Sequence, residues 1–298
     1  MNRKEIEQRI TDAVTAQLRE GKVPWRKPWT CEGYLPTSLQ TGRAYRGMNR
    51  LLLSMVGGQY ARPLWVTYKQ AQFLGGNVRK GEKGMPIIYY SMLDSIDKET
   101  LLPKRVPLLR LSTVFNVEQC EGVTIPAKLW HKREPVAVSD GIQALLDKYT
   151  SKPEIYHRAG DEAFYSPMLD SITVPNLEQY ERAEDYAYTL AHELTHSTSH
   201  ESRLNRKADG FAPFGSANYA LEELVADIGA QMTLSELGVS IDTINSASYV
   251  AGWLSALSND TSLILKASAQ AQKACDYMLG IKHETDVAET VEEEALTV

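Results

Sequence analysis

Apolar side chains recur every fourth position at the start of the chain, at Ile6, Ile10, Val14 and Leu18, with charged residues between them. That spacing keeps one face of an α-helix apolar over residues 6–18, and Gly21 marks its end. In Val23-Pro24-Trp25-Arg26-Lys27-Pro28-Trp29 the two prolines forbid a regular helix and hold two indoles in an extended, cation-flanked loop. A turn at Thr41-Gly42 precedes a helix over residues 49–56, and a further helix is expected over 65–74, stopped by Gly75-Gly76. The basic run 78–84 reads as a turn entering a strand over 86–91, with 108–117 as its partner and 94–107 as an exposed hairpin between them.

Pro126 and Pro135 among mixed polar residues place a linker over 118–138. Beyond it the pattern predicts a helix over 139–149, then strands over 154–157 and 164–174 joined through Gly160-Asp161. Three long helical patterns follow, over 177–200, 216–237 and 246–279. Residues 283–298, with Glu292-Glu293-Glu294, are too acidic and too poor in apolar side chains to pack and are expected to be disordered. The expected fold class is α+β, with an α+β domain over 1–130 and a mainly helical domain with a small sheet over 139–282. No internal repeat is visible.

Charge sharpens the division. Residues 1–133 hold 22 Lys and Arg against 11 Asp and Glu, whereas residues 134–298 hold 10 against 27, giving +11 and −17 within an overall −6. A polyanion would meet the first half and be repelled by the second. Cys31, Cys120 and Cys275 are odd in number and far apart, which suggests neither a disulfide framework nor a cysteine metal site and fits a reducing cytoplasm. No apolar leader and no stretch near the roughly 20 residues needed to span a bilayer is present, so a soluble protein with no membrane partner is expected.

The strongest chemical signal is His192-Glu193-Leu194-Thr195-His196. On a helix, positions i and i+4 share a face, so both imidazoles can bind one ion while Glu193 faces the same cleft as a general base for an attacking water. Two surface histidines would be the plain alternative, and the uninterrupted helical context argues against it. A third ligand is needed. His200 would lie about 12 Å along a continuing helix from His192, out of reach of the same ion. A glycine and a third histidine at the spacing of the longer HExxHxxGxxH motif are replaced by Ser199 and Ser202. The expected helix over 216–237 carries Glu222, Glu223 and Asp227; a ligating Glu223 would set Asp227 on its own face, able to orient a histidine, with Glu222 as the rival ligand. Ala226 and Ala230 would let the two helices approach closely. Tyr219, one turn before Glu223, is a candidate oxyanion stabiliser, although a tyrosine there is more often packing. Zinc is the default ion for histidine and carboxylate ligation.

HExxH followed some 26 residues later by ExxxD resembles the thermolysin-like metallopeptidases. The resemblance implies a zincin-like second domain with His192, His196 and Glu223 as ligands, Glu193 as base and Asp227 as the partner of His192.

In the basic half, Trp25, Trp29, Tyr34, Tyr45, Trp65 and Tyr68 are interleaved with Arg26, Lys27, Arg43, Arg46, Arg50, Arg62, Lys69, Arg79, Lys80 and Lys83. Single-stranded nucleic acid offers bare base faces to aromatic rings and phosphates to cations, and this mixture supplies both. Core tryptophans beneath a solvated basic face would look similar. Pro24-Trp25-x-x-Pro28-Trp29, Thr41-Gly42-Arg43-Ala44-Tyr45-Arg46-Gly47-Met48-Asn49, Trp65-Val66-Thr67-Tyr68-Lys69-Gln70-Ala71 and Val78-Arg79-Lys80-Gly81-Glu82-Lys83-Gly84 resemble the N-terminal domain of ArdC-type plasmid antirestriction proteins. A related domain occurs in some plasmid primases. The resemblance covers nearly the whole chain and implies a protein that binds single-stranded DNA and protects entering plasmid DNA from restriction. The candidate DNA contacts are Trp25, Arg26, Lys27, Trp29, Arg43, Tyr45, Arg46, Asn49, Arg50, Trp65, Tyr68, Lys69, Arg79, Lys80 and Lys83. Double-stranded DNA is a second candidate partner. Two further readings stand beside protection by binding: hydrolysis of a host protein such as a restriction-enzyme subunit, and an inert metal site. A metal-dependent nuclease is disfavoured because no carboxylate-rich two-metal site is visible.

Overall fold

The computed structural model describes residues 2–25, 35–96, 102–129, 136–206, 217–239 and 247–282. The apolar stripe of the first segment becomes α1, Arg3–Arg19, with Ile6, Ile10, Val14 and Leu18 fully buried. Asn2 and Glu5 close its N-terminus reciprocally, each side chain accepting the other's backbone N–H. β1, Thr37–Ser38, and α2, Gly47–Gly57, follow, separated by a turn in which Gly42 takes φ +69°, a conformation that penalises a side chain.

The helix expected over 65–74 is instead a strand and a short helix: β2, Leu64–Thr67, then α3, Tyr68–Phe73. Leu64, Trp65 and Val66 are buried in succession, as in an interior strand. Thr67 then begins α3 with a capping box to Gln70. After β3, Asn77–Val78, the strands β4, Met85–Ile96, and β5, Pro103–Asn116, pair antiparallel from Met85↔Val114 to Ile96↔Pro103. The ribbon therefore runs well into the segment expected as an exposed hairpin. The sheet order is β1-β2-β5-β4, with β1 parallel to β2. β6, Cys120–Glu121, pairs with β3, and Val123, Ile125 and Leu129 pack on Leu39, Leu64, Val66 and Ala71. Up to residue 129 the expected linker is thus part of the N-terminal packing, because its apolar side chains find a partner surface.

In the second half, α4, Val138–Lys148, leads to β7, Glu154–Arg158, β8, Phe164–Ser166, and β9, Ser171–Pro175, in the order β7-β9-β8. The one strand expected over 164–174 is really two. Asp170 turns the chain at φ +45°, and its carboxylate accepts the Tyr165 hydroxyl at 2.7 Å and pairs with buried Arg203. Next come α5, Ala183–Ser197, and α6, Ala217–Glu236. The pattern expected as a single helix over 246–279 breaks into α7, Ala247–Asn259, and α8, Leu263–Leu279. Asp260 causes the break by accepting the Ser262 backbone N–H at 2.8 Å and its hydroxyl at 2.6 Å, which competes with helix continuation. The α+β expectation holds in both halves, and no helix among the described residues is long and apolar enough to cross a membrane.

One apolar cluster runs through both halves, from Ile6 and Leu51 to Leu190, Val225, Leu257 and Ala271. Polar braces reinforce it. Arg50 donates to Glu236 at 2.8 Å and to the Met232 carbonyl at 2.9 Å, Arg46 pairs with Asp276, and Gln272 accepts the Gly47 N–H at 2.9 Å. The opposite charges of the two halves are therefore partly satisfied by each other.

Candidate metal centre

α5 and α6 cross closely because Gly229 has no side chain: a Cβ there would sit 2.6 Å from Thr195 Cγ2. This glycine makes the contact, in addition to the buried Ala226 and Ala230 expected to do so. The crossing brings His192 and His196 of α5 against Glu223 of α6. His192 Nε2 and His196 Nε2 lie 3.1 Å apart, His192 Nε2 is 3.7 Å from Glu223 Oε2, and His196 Nε2 is 3.5 Å from Glu223 Oε1. Ligands held 2.0–2.1 Å from one tetrahedral ion stand about 3.3–3.4 Å from each other. The three donors thus form a site able to hold a divalent metal ion, and among the described residues they are the one such group.

Glu222 settles beside the site in another way. It accepts from Arg206 Nη2 at 2.7 Å and faces His196 Nδ1 at 3.3 Å, which leaves His196 Nε2 turned to the ligand side. Arg206 is itself anchored on the Thr195 carbonyl at 3.1 Å, at the end of α5. Burial opposes a charge on His196, but the Glu222 hydrogen bond and the negative charges of Glu222, Glu193 and Glu223 outweigh it and push its pKa up to about 9. Burial likewise works against an ionised Glu223. The His192 hydrogen bond, the two imidazoles and the Tyr219 hydroxyl overcome it and hold the carboxyl below its usual value.

Glu193 is buried at the same end of α5, near enough for its charge to act on His196. Asp227, one turn after Glu223, is fully buried and accepts the Tyr188 hydroxyl and the Trp25 indole N–H. His200 stands apart from the triad, as expected but for a different reason: α5 ends at Ser197, and the His200 ring turns back to Ser202, with Nδ1 2.8 Å from its hydroxyl.

The candidate DNA contacts divide. Arg26, Lys27, Trp29 and Tyr34 lie outside the described residues. Trp25 and Trp65 are buried, the first edge-on to Trp253 and the second edge-on to Tyr60. Tyr45 is half-buried against the Leu53, Trp65, Ile87 and Val114 cluster. Asn49 bridges α2 to β4 by bonding both the N–H and the carbonyl of Ile88, at 2.7 and 2.6 Å, while Arg46 and Arg50 join the two halves. Arg43, Arg62, Tyr68, Lys69, Arg79, Lys80 and Lys83 are exposed, with Arg79 paired to Glu82 at 2.7 Å. Phe73, which is not among the candidate contacts, is 71% exposed on α3.

Two family models match the chain: the N-terminal domain of anti-restriction factor ArdC over residues 4–115, and a zincin-like metallopeptidase over residues 142–270. Crystal structures of the antirestriction ArdC protein from plasmid R388, metal-free and Mn(II)-bound, are 36% identical, with TM-scores of 0.75 and 0.74. The metal-free match covers 91% of this chain and 96% of that one. The chain belongs to the ArdC family. An ArdC-type architecture of N-terminal ArdC domain followed by zincin-like domain accounts for both halves. Uncharacterized protein y4eC of Sinorhizobium fredii is 31% identical over 294 residues, covering 92% of this chain and 91% of that protein. A DNA primase TraC of Escherichia coli is 37% identical over 293 residues, and a second TraC is 34% identical over 311. This chain spans only 20% and 28% of the length of those primases.

Proposed function

We propose that this ArdC-family chain is an antirestriction protein that binds single-stranded DNA through its N-terminal half and carries a metallopeptidase-like centre in its C-terminal half. The observation that carries the reading is the His192, His196 and Glu223 triad, set in a chain that aligns along nearly its whole length with an antirestriction protein seen with Mn(II). Zinc suits two imidazoles and a carboxylate, and Mn(II), the ion in that relative, is the practical probe. The exposed Arg43, Lys69, Lys80 and Lys83, with Tyr68 and Phe73 on α3, supply the cations and rings that a single strand needs. The partners proposed are single-stranded DNA first and double-stranded DNA second. The two described cysteines are free, one of them fully buried, in keeping with a cytoplasmic setting.

Buried Glu193 beside the triad favours a second reading, hydrolysis of a peptide bond in a host protein such as a restriction-enzyme subunit. A bound metal would supply Lewis acidity toward a carbonyl and lower the pKa of water. Glu193 would take the proton from the attacking water, Tyr219 would stabilise developing oxyanion charge, and Asp227 would help to orient His192. Glu193→Gln separates the readings. If that variant keeps metal and DNA binding but loses protection of entering DNA, hydrolysis is required; if protection persists, occlusion of the DNA suffices and the metal centre is not acting as an enzyme.

Metal binding should also depend on pH. With its pKa near 9, His196 carries a proton at neutral pH in the metal-free protein, and ligation through Nε2 must expel it. Apparent Mn(II) affinity is expected to fall by about tenfold per pH unit below that pKa, hence about a hundredfold from pH 8 to pH 6. Calorimetry in buffers of different ionisation enthalpy should register about one proton released per ion at pH 7. Binding without proton release would contradict the charge state derived for His196.

A further inference from the structure

Asp227 is 1% exposed, and its two carboxylate oxygens are served by different parts of the chain. Tyr188, one turn before His192 on α5, donates to Oδ1, while Trp25, 202 positions away, donates its indole N–H to Oδ2. Tyr188 and Asp227 thus tie α5 to α6 one turn from the ligands His192 and Glu223, and the rings of Tyr188 and His192 are 6.3 Å apart. A buried carboxylate keeps its rotamer only while donors compensate for lost water. Groups that hold metal ligands in place from behind commonly govern affinity tenfold to a hundredfold.

Trp25 belongs to the half whose sequence points to DNA, and its ring could have served packing alone. Two features argue for more. Its centroid is 5.2 Å from that of Trp253 in an edge-on contact, so the ring is held rigidly from the α7 side. That grip points the N–H at Asp227 rather than at solvent, in a side chain only 4% exposed. We propose that Trp25 is a positioning residue of the metal centre: the N-terminal half completes, through Asp227, the support that holds α5 and α6 in ligating geometry. The metal affinity of the C-terminal half is then a property of the whole chain. The inference rests on the metal centre and not on its reactivity.

The test is a Mn(II) titration of the full chain, followed by the electron paramagnetic resonance signal of free Mn(II), for wild type, Trp25→Phe and Trp253→Phe. Trp25→Phe keeps an aromatic ring but removes the donor, and is expected to bind Mn(II) at least tenfold more weakly. Trp253→Phe loosens the ring contact but leaves the donor, and is expected to weaken Mn(II) binding by clearly less than Trp25→Phe does. Equal losses in both variants would show a packing role and overturn the proposal, as would a folded Trp25→Phe with wild-type affinity. Should Trp25→Phe fail to fold, β-benzothienylalanine at position 25 replaces the N–H by sulfur with the bicyclic shape kept; the same tenfold loss supports the proposal and unchanged affinity overturns it. A wild-type chain that binds no Mn(II) would sink the metal centre itself, and this inference with it.

Discussion

Glu223→Ala should remove stoichiometric metal binding at micromolar protein, while Glu222→Ala should only weaken it. The two residues are neighbours on α6 and both reach toward His196, but they meet different atoms of its ring. Glu223 lies 3.5 Å from Nε2 and 3.7 Å from His192 Nε2, on the side where an ion would sit, whereas Glu222 faces Nδ1. If the roughly 10–16 kcal/mol typical of a structural zinc site is shared among four ligands, losing one costs about 2.5–4 kcal/mol, on the order of 10²–10³ in affinity. Loss of Glu222 leaves all three ligands in place but frees His196 and Arg206, an effect of about 10–100-fold. Competition for Mn(II) or Zn(II) against a chromophoric chelator measures both. A larger loss for Glu222→Ala than for Glu223→Ala would reverse the assignment.

The second large effect concerns DNA. Neutralising Arg43, Lys69, Lys80 and Lys83 together to Gln removes four exposed cations that have no acidic partner within salt-bridge distance among the described residues, at sites away from the braces between the halves. Each phosphate contact to a single strand contributes about 0.7 to the slope of log affinity against log salt. If all four contact phosphates, the slope should shrink by about 2.8, and affinity at 0.1 M salt should fall by roughly 10²–10³. Arg50→Gln should instead lower stability, because it leaves Glu236 and the Met232 carbonyl without their shared donor. Fluorescence anisotropy of a labelled oligonucleotide over a salt series distinguishes the two. An unchanged slope in the quadruple variant would move the DNA face elsewhere.

Local signals were legible where the chemistry is local. The four-residue apolar spacing of α1, the HExxH spacing on α5 and the β4–β5 pairing each depend on neighbours in sequence, and each stands in the structure. Element boundaries were misread where a side chain overrides a pattern: Thr67 starts a helix inside an apolar run, Asp170 splits a strand, and Asp260 splits a helix. Long-range roles were the least legible. Trp25, Arg46, Asn49, Arg50 and Trp65 have the composition of a DNA-binding surface. Whether such residues face solvent depends on partners that no local window contains, such as Asp276 for Arg46 and Asp227 for Trp25. The charge asymmetry carried a second meaning, complementarity between the halves, that becomes visible only once α2 is seen against α6 and α8. Gly229 was silent for the same reason, since its importance lies in the approach of Thr195 from another helix.

The most direct test is the efficiency of plasmid entry into a restricting recipient relative to an otherwise identical non-restricting one, with and without this chain expressed in the recipient. The expected result is that the chain raises the ratio toward one and that the quadruple Arg43, Lys69, Lys80 and Lys83 variant, folded and equally abundant, does not. A ratio left unchanged by the abundant wild-type chain would contradict it.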